Sequence, residues 1–299
     1  MKVQGYYKPQ TIEQALALME KLENARFIAG GTDLMVLLKK KMISPENLIS
    51  LRNIRCLDGV EKSNYLSRGF RIGSITTHNN IAKNVLIRNS YGALHDAASR
   101  IGSQQIRNVA TIGGNICNAS PSADTACPLL VLDGKLLIVN NNGKRLVDID
   151  DFFLGPNRTI LEKNEIIKEF HLPCFNGNNG SAYTKISRRQ SMDVSIVGIA
   201  VRISIVKEGD EFKCEDVRIA MSAVAPRPIR AKKAEAFLKG KTITPELTQE
   251  TGEIAASEAT PIDTFRGQAW YSKDMIKIVT KETINRAMEQ AVKQHSCCI

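Results

Sequence analysis

Two glycine pairs carry the chemistry legible in this chain. Phe27-Ile28-Ala29-Gly30-Gly31-Thr32-Asp33-Leu34 sets a short apolar run, a Gly-Gly break and a new helical pattern in succession. A second break, Thr111-Ile112-Gly113-Gly114-Asn115, follows the Arg107 to Ala110 segment and leads to Ser120-Pro121-Ser122-Ala123-Asp124-Thr125. A strand that enters such a turn and leaves as a helix keeps several backbone N–H groups unpaired at the positive end of the helix dipole. That arrangement suits an anion, phosphate above all, and glycine lets the phosphate oxygen approach the backbone while Thr32 adds a hydroxyl. Neither turn matches G-x-x-x-x-G-K-[ST] or G-x-G-x-x-G, which disfavours a P-loop NTPase and a Rossmann dinucleotide site. One Gly-Gly pair commonly makes only a turn. Two of them, about eighty residues apart, suit a two-phosphate ligand in a crevice between subdomains.

Asp124 has two readings, a helix-dipole partner in the first turn of a helix or an acceptor for a ribose or ribityl hydroxyl. Asn115 either occupies a left-handed backbone position or offers its amide to the same ligand. The cysteines (56, 117, 127, 174, 214, 297 and 298) are odd in number and lack regular spacing, which reads as cytosolic, reduced usage. Without a C-x-x-C pair or an H-E-x-x-H pattern they form no zinc or ferredoxin site, and His78, His95, His171 and His295 read as surface or packing residues. The 41 basic and 31 acidic residues give a net charge of +10, which raises nucleic acid as a partner. The basic residues are scattered and no nucleic-acid-binding motif accompanies them, so neither nucleic acid nor membrane is expected. No apolar run approaches the roughly 18 residues of a membrane span, and Met1 to Pro9 has no apolar leader core.

The elements that must position these turns follow from periodicity. Thr11 with Gln14 gives a capping box for a helix over about 12–22, and Ala25 to Ala29 reads as a strand. A helix over Asp33 to Lys41 and a strand over Leu48 to Leu51 complete a βαβ unit. From about 58 to 175, strands are expected at Phe70 to Gly73, Lys135 to Val139 and Leu146 to Ile149, with a hairpin turn at Asn140 to Gly143. Helices are expected at Thr77 to Asn84, Ser90 to Ile101 and Ser122 to Leu132. Asn176-Gly177-Asn178-Asn179-Gly180 consists of turn formers and is expected to be a linker. Beyond it come strands over Val194 to Val206 and Val217 to Val224, then helices at Ala231 to Leu238, Leu247 to Ser257 and Asp274 to Val292. The fold class is α+β, with domains at 1–175 (subdomains about 1–57 and 58–175) and 181–299.

At these residues the chain resembles the flavin-binding subunits of the molybdenum hydroxylases, the xanthine dehydrogenase and carbon monoxide dehydrogenase family. Ala29 through Leu34 is similar to that family's first FAD motif, and Ile106 through Ile116 with Ser122-Ala123-Asp124-Thr125 to its second. Ser181 through Arg189 and the Ala225-Pro226-Arg227-Pro228 turn resemble features of its C-terminal domain. The resemblance implies a two-part FAD-binding domain of the PCMH type followed by a C-terminal antiparallel sheet with helices. It implies a non-covalent FAD, since the glycine turns hold neither the histidine nor the cysteine of covalent flavoproteins. Phe27, Ile28, Ala29, Gly30, Gly31, Thr32, Asp33 and Leu34 would cradle the diphosphate. Thr111, Ile112, Gly113, Gly114 and Asn115 would hold the diphosphate and ribityl chain, and Asp124 a sugar hydroxyl. Ile101, Ile167 and Lys185 match positions that contact the flavin; Lys185 is either an exposed strand lysine or a charge that stabilises reduced flavin. No catalytic side chain and no metal ligand is expected. The chain is then a cytoplasmic electron relay, with a [2Fe–2S] subunit as donor, a large molybdenum subunit for substrate chemistry, and NAD⁺ or another acceptor. A stand-alone FAD-dependent reductase and a basic nucleic-acid-binding protein are the alternatives. Arg188 and Arg189 are either a partner dock or solvated strand ends.

Overall fold

The computed structural model of the protein describes residues 3–293, so His295, Cys297 and Cys298 lie outside the described residues. Three hydrophobic clusters, each beneath its own sheet, organise it. In the first, the strand Asn47–Ser50 lies between Gly5–Tyr7 and Ala25–Ile28, all parallel. The helix Ile12–Lys21 covers this sheet because Ile12, Ala15, Leu16 and Met19 fall on one face. Thr11 caps it by accepting from the Gln14 backbone N–H at 3.2 Å, while Gln14 Oε1 reaches back to the Gln10 N–H at 2.9 Å. The helix after the first glycine turn is Leu34–Lys39, shorter than expected, with Asp33 at its N-cap and Lys41 turning left-handed at φ 56°.

The second sheet is antiparallel in the order Val60–Lys62, Gly69–Gly73, Ile166–Pro173, Lys135–Asn140, Gly143–Asp148. Helices His78–Lys83, Val85–Ser90 and Gly92–Arg100 contribute Ile81, Ile87, Leu94 and Ala97 to its core. Asn84 both ends the first of these helices and caps the second, accepting from the Ile87 N–H at 3.1 Å. The expected helix from Ser122 starts only at Ala126 and runs to Val131. Ser120 Oγ and its carbonyl instead accept from the Ser122 and Ala123 N–H groups, folding 120–123 into a turn.

The third sheet pairs Asn178–Ile186, Val197–Glu208, Glu211–Ser222 and Ile229–Arg230 in antiparallel order. Tyr183, Ala200 and Ala220 are in register across it and face the second cluster. Their alternates Ala182, Ile199, Val201, Ile219 and Met221 face the helices Pro245–Glu258 and Ala269–Lys293. Burial on both faces explains the nearly continuous apolar run of Val197–Ile205. Residues 178–180 of the expected linker belong to the first strand of this sheet. A Cβ on Gly180 would lie 2.0 Å from the Ala287 carbonyl oxygen and 2.5 Å from the Ala291 nitrogen. This glycine therefore permits close strand–helix contact rather than a turn. Among the described residues Cys56, Cys117, Cys127 and Cys214 are free thiols.

Candidate functional site

Both glycine turns line one cleft of 620 Å³, with Phe27 through Leu34 on one wall and Thr111, Gly114 and Asn115 on the other. Packing brings them together: a Cβ on Gly30 would sit 2.1 Å from the Val109 carbonyl oxygen and 2.9 Å from the Ala110 Cα. Only a residue without a side chain lets the first turn rest on the segment that feeds the second. Gly31 adopts φ +75°, the left-handed region, and reverses the chain into the helix at Leu34. Among the described residues the backbone N–H groups of Gly30, Gly31, Thr32, Asp33 and Leu34 have no protein acceptor. Five such donors in succession around a left-handed glycine form a concave cluster of partial positive charge.

The second turn is built differently, because its amides are used by the protein. Ile112 N–H bonds to the Thr76 carbonyl, Gly113 N–H to that of Ser74 at 2.8 Å, and Gly114 N–H to Thr111 Oγ1 at 3.1 Å. A Cβ on Gly113 would lie 2.6 Å from the Ser74 carbonyl oxygen, so this glycine serves packing. One on Gly114 would meet only Thr111 Oγ1, at 3.0 Å, leaving an otherwise open approach to the cleft. Asn115 sits inside the helix Ile112–Asn118, not in a left-handed conformation, and its Oδ1 accepts from Thr125 Oγ1 at 2.6 Å. That bond fixes the amide and leaves its NH₂ for the cleft.

Asp124 lies apart from the cleft wall and precedes the helix it was expected to open. Its buried carboxylate accepts from Tyr183 Oη and Ser195 Oγ, both at 2.7 Å, and pairs with Lys185 Nζ at 2.9 Å. Burial, and then the nearby Asp124 charge, raise the Tyr183 phenol well above its ordinary value and keep it a donor. Lys185 is not the exposed strand lysine considered from the sequence; its side chain is 6 % exposed. Ile101 and Ile167 are buried, the latter within the second cluster. Ile112 and Gly113 are likewise buried behind the cleft. The cleft also takes in Arg26, Leu37, Met42, Ile43 and Asn157, which sequence reasoning did not select. Gly155-Pro156-Asn157 was legible as a turn signal, but nothing local tied it to the Asn118 carbonyl, which Asn157 Nδ2 reaches at 2.8 Å.

Residues 1–175 match the family model described as the FAD binding domain in molybdopterin dehydrogenase. The chain belongs to this family. Residues 181–287 match a second model, the CO dehydrogenase flavoprotein C-terminal domain. The chain is 32 % identical to the xanthine dehydrogenase FAD-binding subunit of Escherichia coli O157:H7, over 96 % of this chain and 97 % of that one. It is 31 % identical to the carbon monoxide dehydrogenase medium chain of Hydrogenophaga pseudoflava, over 94 % and 96 %. A solved carbon monoxide dehydrogenase from that organism superposes with a TM-score of 0.89 at 32 % identity, covering 96 % of this chain and 97 % of that chain. Quinoline 2-oxidoreductase from Pseudomonas putida gives 0.89 at 26 % identity, covering 97 % and 99 %. The protein is thus the FAD subunit of a molybdenum hydroxylase of the xanthine and carbon monoxide dehydrogenase type, an oxidoreductase component. Among the described residues no helix is long and apolar enough to cross a membrane, and no cluster of three His, Cys, Asp or Glu side chains is arranged to hold a metal.

Proposed function

We propose that the cleft holds FAD non-covalently and that the subunit relays electrons between a [2Fe–2S] partner and NAD⁺ or another acceptor. The observation that carries this reading is the run of five amide donors without a protein acceptor, Gly30 to Leu34, in residues that line the same cleft as the open approach at Gly114. A diphosphate needs such donors, and here the Ala29 to Leu34 turn supplies them while Thr32 adds its hydroxyl. Thr111 and Asn115 would bind the ribityl chain through side chains rather than amides, because the amides of Ile112 through Asn115 are already bonded within the protein. Bound FAD supplies the capacity to take up an electron pair and release it to an acceptor. The protein's part is to orient it. Ile101 and Ile167 give apolar backing at the flavin end, and Lys185 offers its positive charge there. Asp124 acts through Lys185, holding the ammonium in place rather than binding a sugar hydroxyl, since its oxygens already have three protein donors.

On this reading the functional division is 1–175 and 181–299, and the chain works in the cytoplasm beside a small iron–sulfur subunit and a large subunit carrying the molybdenum cofactor. The test is the visible spectrum of the protein purified from its host, with acid release of the chromophore and a count of co-purifying chains. Released FAD with a large and a small partner chain is expected. A colourless chain that takes up no added FAD overturns the proposal.

A further inference from the structure

Three successive lysines, Lys39, Lys40 and Lys41, stand exposed where the wall of the cleft turns back on itself. Leu37 before them and Met42 and Ile43 after them line the cleft, so the lysines lie at its edge without lining it. Local bonds fix that turn. Lys41 N–H donates to the Leu38 carbonyl at 3.1 Å and Met42 N–H to that of Leu37 at 3.0 Å, around Lys41 in its left-handed conformation. Arg26, exposed on the strand Ala25–Ile28, lines the same cleft. Among the described residues none of these four side chains meets a carboxylate.

Basic residues at the end of a helix commonly complement its dipole, but that end carries only about half an elementary charge, which one cation offsets. The surplus here stands close to the amide donors of the first glycine turn. The helix Leu34–Lys39 has six residues, and at about 1.5 Å per residue it spans about 9 Å. The lysines are therefore about one Debye length from those donors at physiological salt, and well within it at about 0.01 M. Asp33 is the one carboxylate among the residues that line the cleft, so the local balance stays positive. Cations of one sign at the mouth of a cleft raise the local concentration of an anion and speed its entry.

We propose that Lys39, Lys40 and Lys41, with Arg26, form an electrostatic rim that captures the anionic dinucleotide from solution and sets the rate at which the flavin-free chain is loaded. This rests on the flavoprotein reading above. The lysines act on the approach of the diphosphate, and the amide donors of Gly30 to Leu34 hold it once it has arrived. Capture and retention thereby fall to different residues of one short stretch of chain. The rim governs association, and the turn governs dissociation.

The test is stopped-flow mixing of FAD with the full-length flavin-free chain at several salt concentrations, following flavin fluorescence, with dissociation measured separately by dilution. Lys39→Gln/Lys40→Gln/Lys41→Gln is expected to slow association about tenfold or more at low salt and to flatten its salt dependence, with the dissociation rate and melting temperature near wild type. Lys39→Glu/Lys40→Glu, which leaves the left-handed Lys41 in place, should slow association further. Lys207→Gln/Lys273→Gln/Lys293→Gln removes the same charge from exposed positions on the third sheet and the long helix, none of them lining the cleft, and should associate at the wild-type rate. A wild-type association rate and salt slope in both rim variants overturns the assignment. So does an equal slowing in the distant variant, which would make the effect one of total charge, or a loss confined to the dissociation rate, which would make the lysines direct ligands. A wild-type chain that takes up no FAD at any salt concentration would instead sink the flavoprotein reading itself.

Discussion

Asp124→Ala separates a cofactor ligand from a structural tie. Its carboxylate joins three donors from strands and loops more than fifty residues downstream, Tyr183, Lys185 and Ser195. Truncation leaves the Lys185 ammonium, 6 % exposed, without its counter-charge, and two hydroxyls without an acceptor. Breaking a buried pair from one side costs about 3–5 kcal/mol, and because the donors share one acceptor their separate losses do not simply add. A loss of about 4 kcal/mol is therefore expected, nearly three orders of magnitude in the folded-to-unfolded ratio at about 1.4 kcal/mol per tenfold. The assay is urea unfolding of the flavin-free chain. Asp124→Ala/Lys185→Met removes the stranded charge and should recover more than half of the loss. A flavin-free chain destabilised by less than about 1 kcal/mol, with FAD affinity falling instead, would refute the reasoning and return Asp124 to the sugar hydroxyl.

Gly114→Ala is expected to leave the melting temperature of the flavin-free chain near wild type and to weaken FAD at least tenfold by titration, because the methyl group enters the approach to the cleft. Gly30→Ala should do the reverse in order of cause, lowering the melting temperature itself, since its Cβ collides with the Val109 carbonyl at 2.1 Å. His78 is buried with Nδ1 unpartnered, and burial, helped by Arg107, lowers its pKa from 6.5 to about 4. The unfolded chain takes up this proton first as pH falls, so stability present above pH 6.5 is lost towards pH 4, by about 3 kcal/mol in all at 1.36 kcal/mol per pKa unit. In denaturant titrations at several pH values, His78→Leu should flatten that part of the profile; an unchanged slope refutes the assignment.

What the sequence made legible was local. The Thr11 cap, the βαβ order, the hairpin at Asn140 to Gly143 and the two glycine turns all depend on neighbours within a few residues. The strand Gly5–Tyr7 escaped notice because three residues are too short for a period to register. Asn178 to Gly180 looked like a turn because glycine has the same letter whether it bends a chain or admits a helix at close range. The tie between Asp124 and Lys185 spans sixty-one positions, and nothing in either residue's surroundings names the other. The difference between the two turns was equally hidden, since Ser74 and Thr76, which occupy the amides of Gly113 and Ile112, come from a distant segment.

The five unpaired amides of Gly30 to Leu34 also bear on how long each copy of the chain survives. The carbonyls of this turn are bonded, Gly31 accepting from the Met35 N–H at 2.9 Å and Asp33 from the Leu37 N–H at 3.1 Å, so it is the amide side that gains partners when a ligand binds. A tightly held ligand stabilises the folded chain by mass action, about 2.7 kcal/mol at a hundred times its dissociation constant. Newly made subunit that has not met its flavin is then expected to unfold, and to be degraded, more readily than the loaded form. The supply of flavin would set the abundance of the subunit as well as its activity.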